Sequence, residues 1–140
     1  MSKVFWDTNI FVYLFDGDSP FVPAARRLRE RMLERGDELV TSAMTLGEIQ
    51  VLARRQGNLP KAEYLRDLVK NAGTVIDFGL GAADTFAHLR ATTSLRPPDA
   101  VQLSCAASAG VELFVTNDTS LHNLNIPGIH FITSLERSPI

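Results

Sequence analysis

The chain has 140 residues and a mass of 15.4 kDa, which is room for a single domain spanning residues 1–140. Hydrophobic residues make up 45% and charged residues 21%, enough apolar material for a core and too little charge for a disordered chain. The net charge of −2 argues against binding nucleic acid by bulk charge, and one cysteine, Cys105, excludes an internal disulfide and a Cys-based zinc site.

In chain order, Val4–Trp6 reads as a buried strand ending at Asp7, and Thr8–Phe15 as a short helix stopped by Asp16-Gly17-Asp18. Residues 20–35 are amphipathic, with Ala24, Ala25, Leu28, Met32 and Leu33 on one side and Gly36 closing the helix. Glu38–Thr41 is a second strand, and Ser42 can cap a helix running to about Arg55. Lys61–Asn71 predicts a helix stopped by Gly73, followed by a β-branched strand over Thr74–Phe78. Helices follow at Ala82–Thr93 and Pro98–Ala109, the latter opened by Pro97-Pro98 and closed by Gly110. Glu112–Thr116 and Ile129–Thr133 are the last strands. No repeat or linker interrupts the series, and the charge-free stretches are too short to span a membrane, so a cytoplasmic protein is expected.

Strands alternating with helices predict a parallel sheet covered on both faces, with ligands outside the carboxyl ends of its strands. Asp7 and Asp118 fall just past strand ends. Glu48 shares a helical stripe with Met44, Val51 and Leu52, and Asp99 shares one with Leu103, Ala106 and Gly110. Each acid has an ordinary explanation. Thr45–Glu48 and Asp99–Gln102 match capping boxes, and Asp7 and Asp118 can each cap the segment that follows. Four converging carboxylates are another matter, because charges about 4 Å apart repel by roughly 4 kcal/mol at an effective dielectric near 20. Such a cluster holds protons or divalent cations, and an all-oxygen set suits Mg²⁺ or Mn²⁺. Metal-activated water attacking phosphorus is the chemistry it serves. His88, His122 and His130 form no metal-binding pair and are read as surface or half-buried residues.

Ten of the fourteen Lys and Arg lie between Arg26 and Lys70. Arg26, Arg27, Arg29, Arg31, Arg54 and Arg55 are candidate contacts for a phosphate-bearing substrate, while Arg26–Glu30 pairing within a solvated helix face is the plainer reading. Other classes fit less well. A haloacid-dehalogenase-like phosphatase needs a second Asp where Asn9 stands, and a receiver domain needs an acidic pair after the first strand. Phe78-Gly79-Leu80-Gly81 lacks the third glycine of a phosphate cradle and suits a helix C-cap-like turn. A non-catalytic α/β interaction module is the remaining alternative.

The strings Val4–Tyr13, Thr41-Ser42 with Glu48, Leu95–Ala100 and Phe114–Asp118 together resemble a PIN domain, most closely the VapC-like toxins of bacterial and archaeal toxin–antitoxin pairs. The resemblance implies a PIN-like (Rossmann-like) three-layer α/β sandwich whose parallel sheet has the order 3-2-1-4-5. It implies that Asp7, Glu48, Asp99 and Asp118 are the catalytic, metal-binding carboxylates, with Asn9 and Thr116 as polar supports. It further implies Mg²⁺-dependent endoribonuclease activity, an antitoxin partner and a homodimer, with a free-standing PIN nuclease as the variant lacking an antitoxin.

Overall fold

A computed structural model describes all residues, 1–140. Strands β1 (Lys3–Trp6), β2 (Glu38–Ser42), β3 (Thr74–Ile76), β4 (Val111–Val115) and β5 (Ile129–Thr133) form one sheet in the order β3-β2-β1-β4-β5. Every pairing is parallel, as the alternation of strands and helices predicts. The helices are α1 (Thr8–Phe15), α2 (Val22–Arg35), α3 (Ala43–Glu48), α4 (Val51–Arg55), α5 (Leu59–Ala72), α6 (Leu80–Thr92) and α7 (Pro97–Ala109), and a 3-10 turn covers Thr119–Leu121. No helix is long and apolar enough to cross a membrane.

The side-chain alternation of the central strands divides the core in two. Val4 and Trp6 face α1, α2 and α5, with Leu39, Leu113 and Val115 beside them. Phe5 faces the opposite way, with Val40, Phe114 and the α7 residues Ala100, Leu103 and Ala106. Phe5 and Phe114 are register partners on β1 and β4, and their rings stack with centroids 4.9 Å apart. The chain leaves β1 toward β2 on one side, while β4 lies on the other. The carboxyl ends of β1 and β4 therefore flank the switch point, with Asp7 and Thr116 one residue beyond them.

Several local expectations are corrected. The helix expected from Ser42 to about Arg55 is broken at Ile49-Gln50. There the Gln50 N–H tightens onto the Gly47 carbonyl at 3.3 Å, and the Gln50 side-chain amide donates to the Leu46 carbonyl at 2.8 Å. The side chain thus takes an acceptor that a continuous helix would bond through its backbone. On α2, Leu33 is 62% exposed, because the buried stripe is Ala25, Leu28 and Met32. Helix α5 starts at Leu59, with the Asn58 side chain accepting from Lys61 N–H and Pro60 in the first turn. Gly79 is the N-cap of α6, not part of a helix C-terminus.

Candidate active site

Asp7 is the N-cap of α1. Its Oδ1 accepts from the Thr8 N–H at 2.8 Å, and its Oδ2 accepts from the Thr116 hydroxyl at 2.7 Å. The strand end and the helix start thereby hold one carboxylate between β1 and β4. Thr8 Oγ1 donates to Glu48 Oε1 at 2.7 Å, so two carboxylates are bonded to a single residue.

Behind them lies a buried polar network. Gln102, on α7, is 1% exposed, and its Nε2 lies 2.8 Å from Thr45 Oγ1, 3.2 Å from Thr8 Oγ1 and a long 3.4 Å from Asp7 Oδ1. Its Oε1 accepts from the Ser42 hydroxyl, which in turn accepts from the Met44 N–H at the start of α3. Thr41 Oγ1 lies 2.9 Å from the Trp6 carbonyl, which accepts from it, and 2.8 Å from Thr45 Oγ1. β1, β2, α3 and α7 are thus tied together directly beneath the acids. Buried groups satisfied in this way hold a fixed arrangement, whereas unsatisfied ones would each cost about 1–3 kcal/mol.

The capping explanations divide the four acids. Asp7 and Asp118 do cap: Asp118 Oδ1 accepts from both the N–H and the hydroxyl of Ser120, at 3.0 and 2.7 Å. Glu48 and Asp99 form no capping box. The N-cap of α3 is Ser42, with Thr45 buried inside the helix and Glu48 its last residue. The N-cap of α7 is Arg96, with Asp99 in the first turn. Glu48 also departs from its expected buried stripe, since Val51 and Leu52 are exposed and the buried positions are Thr45, Ile49 and Ala53. Asp99 does lie above buried Leu103 and Ala106.

Electrostatics link three of the acids. Burial pushes the Asp7 carboxyl above the usual carboxylate range, against its hydrogen bonds to Thr116 and Thr8, and the charge of Asp99 pushes it further. Glu48 is raised by partial burial, opposed by its bond from Thr8, and raised again by the charges of Asp7 and Asp99. Arg96 works the other way on Glu48 and contacts Asp99 Oδ2 through its Nε at 3.2 Å. Asp118 stands one link away: its backbone N–H donates to the same Thr116 hydroxyl that serves Asp7, while its carboxylate turns back into its own loop.

No three His, Cys, Asp or Glu side chains converge closely enough to enclose one ion. Mg²⁺ does not require such a cage, because it keeps several waters and takes one or two carboxylates together with substrate phosphates. The neighbouring carboxylates of Asp7, Glu48 and Asp99 fit that mode. Asn9 Oδ1, in the first turn of α1, is buried without a hydrogen-bond partner. Of the two expected supports, Thr116 bonds Asp7, whereas the Asn9 side chain forms no hydrogen bond to any of the acids.

A family model for the PIN domain matches residues 4–126. The chain belongs to the PIN-domain family. It is 31% identical to ribonuclease VapC23 of Mycobacterium tuberculosis over 121 residues, covering 84% of this chain and 94% of that protein. Among solved structures, VapBC2 of Rickettsia felis, bound to a promoter DNA fragment, shares the fold with a TM-score of 0.75 at 18% identity, over 94% of this chain and 98% of that one. DNA-bound VapBC from Salmonella typhimurium gives a TM-score of 0.70 at 25% identity, over 96% and 99%.

In this PIN domain the sequence singled out the four acids as candidates but gave no site role to the groups bonded to them or beneath them: Thr8, Ser42, Thr45, Arg96 and Gln102. Gln102 carried the one usable signal, a large polar residue among the small and apolar side chains of the buried side of α7. The basic residues are dispersed. Arg29 donates to the Ala72 carbonyl at 3.1 Å and Arg54 to Gln50 Oε1 at 3.1 Å. Arg26 and Glu30 form no ion pair, and Asp16, in the turn after α1, pairs with Lys61 at 3.0 Å. His88 and His130 are exposed, and half-buried His122 places Nε2 2.7 Å from the Thr116 carbonyl.

Proposed function

We propose that this PIN domain is a divalent-metal-dependent endoribonuclease, the toxin of a VapC-like toxin–antitoxin pair, working with Mg²⁺ or Mn²⁺. The observation that carries the reading is that Thr8 bonds both Asp7 and Glu48 at the carboxyl edge of the sheet, with the charge of Asp99 felt by both and with neither Glu48 nor Asp99 serving as a helix cap.

Asp7, Glu48 and Asp99 would hold the metal, directly or through the waters it retains, with Asp118 at the margin, across Thr116. A bound divalent ion would supply an activated water and polarise a phosphoryl oxygen of the RNA. The chain's own residues do the positioning. Thr8 fixes Asp7 through its N–H and Glu48 through its hydroxyl, so the two carboxylates keep one relative placement. Thr116 holds the second oxygen of Asp7, and Gln102 braces Thr8 and Thr45 from below. Arg96, whose side chain is 76% exposed, offsets the carboxylate charge before an anionic substrate arrives.

The VapBC neighbours support an antitoxin protein as partner, and a homodimer and an RNA substrate belong to the same proposal. The test is cleavage of RNA by the purified protein with Mg²⁺ or Mn²⁺ and with EDTA. Cleavage with metal that stops in EDTA is expected. Cleavage that persists in EDTA overturns the metal assignment, and no cleavage of any RNA with either ion overturns the ribonuclease reading.

A further inference from the structure

A cavity of about 870 Å³ lies apart from the acids. It lies between α2 and the segment after β5, and its size is within the roughly 300–1,000 Å³ of ligand sites. Arg27 and Arg31 enter it from α2, one helical turn apart, and Arg137 enters from the segment after β5. None of the three guanidiniums takes part in any of the five ion pairs. Glu136 is the only acidic side chain lining the cavity, although Glu30 and Glu34 lie close by in sequence.

Like charges at i,i+4 on a helix repel, and a third cation facing the same space adds to the cost. An anion in the cavity would relieve it. Phe21, 45% exposed at the cavity wall, presents a ring braced by Tyr13 at 5.0 Å between centroids.

The cavity is continuous with the site along one loop. Thr116 bonds Asp7, the next residue Asn117 lines the cavity, and Asn117 Oδ1 accepts from the Leu135 N–H across it. Beyond Asp118, Thr119 faces this cavity, whereas Ser120 lines a smaller cleft of about 290 Å³ that contains Asp99 and Arg96. Asp118 and its 3-10 turn thus lie between a basic cavity and the cleft of Asp99 and Arg96.

We propose that the cavity between α2 and the segment after β5 binds single-stranded RNA next to the scissile bond. Arg27, Arg31 and Arg137 take backbone phosphates, and Phe21 stacks a base. The proposal rests on the ribonuclease reading and adds a subsite to it. Arginine at phosphates and an exposed aromatic for a base are the two components of single-strand recognition.

The experiment is fluorescence anisotropy of a short labelled single-stranded RNA in EDTA, at several salt concentrations, so that binding is read apart from cleavage. Each phosphate contact contributes about 0.7 to the slope of log K against log salt for single strands. The combined Arg27→Gln, Arg31→Gln, Arg137→Gln protein is expected to bind with a slope smaller by about 2. All three side chains are on exposed residues, so an unchanged melting temperature should accompany the change. Phe21→Ala should weaken binding about tenfold with the slope unchanged. Lys70→Gln, on exposed α5 surface, should change neither.

A triple-variant slope equal to that of the parent protein overturns the proposal, as does an absence of RNA binding by the parent. If the triple variant keeps its RNA slope but loses a purified partner protein, the cavity is a protein-docking site and the proposal fails. These results are separable from the ribonuclease reading. An unchanged slope in a protein that still cleaves RNA removes only the subsite, whereas RNA binding by the cavity without cleavage under Mg²⁺ or Mn²⁺ removes only the catalytic assignment.

Discussion

Asp99 shows how a conservative substitution can separate folding from chemistry. It stands in the first turn of α7, where a negative charge gains roughly 0.3–1 kcal/mol from the helix dipole but makes no capping bond. Asp99→Asn gives up that gain and relieves repulsion with Asp7 and Glu48, so the metal-free melting temperature should stay within a few degrees. RNA cleavage should fall by about a hundredfold or more, at least the loss typical of groups that only support metal ligands. Full activity in a well-folded Asp99→Asn protein would leave this acid without a catalytic part. Cys105 offers a second measurement, away from the acids. Burial pushes its thiol from an ordinary 9.0 up to about 11 in the folded chain. The unfolded chain therefore loses that proton first as pH rises, and stability should decline between about pH 9 and 11, with no contribution below that window. Alkylation by iodoacetamide at pH 8 should be slow in the native protein and fast in denaturant. Rapid native-state labelling would show that the thiol is open to solvent.

Among the elements, the strands and the helix stops were largely readable from sequence, while joints that depend on a side chain meeting a distant backbone were not. Gly36, Gly73 and Gly110 end their helices where turn chemistry predicts. The break between α3 and α4 escaped because it depends on the Gln50 amide folding back onto Leu46, a choice that periodicity does not encode. The same limit applied to the site. Acids placed after strands announce themselves, but the Thr8–Gln102–Thr45 contacts exist only once α7 packs against the ends of β1 and β2. One loop glycine tests how tightly these layers fit. Gly128, just before β5, has φ of 97°, and a Cβ there would sit 2.5 Å from the Ala107 carbonyl at the end of α7. Gly128→Ala combines an unfavourable backbone region with a clash, each worth about 1–2 kcal/mol. A urea midpoint lowered in proportion to about 2–4 kcal/mol is expected. A change under about 0.5 kcal/mol, ordinary for surface positions, would mean that the loop swings away from α7 without cost.

The molecule as a whole gathers three arginines in one place: Arg27, Arg31 and Arg137 line a cavity whose only acidic side chain is Glu136, while Asp99 lies with Arg96 in a separate cleft, and the net charge is too small to reveal either. That arrangement could not be read from composition, because it depends on Arg137 meeting α2 across the fold. The sheet order has a further consequence. The hydrogen bond that fixes Asp7 comes from Thr116, 109 residues later, and β1 has its second neighbour only when β4 arrives. A chain ending at Gly110 would carry Asp7, Glu48 and Asp99, yet its central strand would have one bare flank. It is expected to show no cooperative melt and no nuclease activity; a sharp melting transition with cleavage intact would contradict this. Growth on the ribosome proceeds at about 5–20 residues per second, so emergence of the chain from its first acid to its last strand takes seconds. For most of that time the nascent polypeptide holds its carboxylates as separate, harmless side chains. Parallel sheets closed by such distant pairings also fold slowly, on scales of about milliseconds to seconds. An enzyme built this way becomes able to cut RNA only after β4 and Thr116 have been made and have found β1.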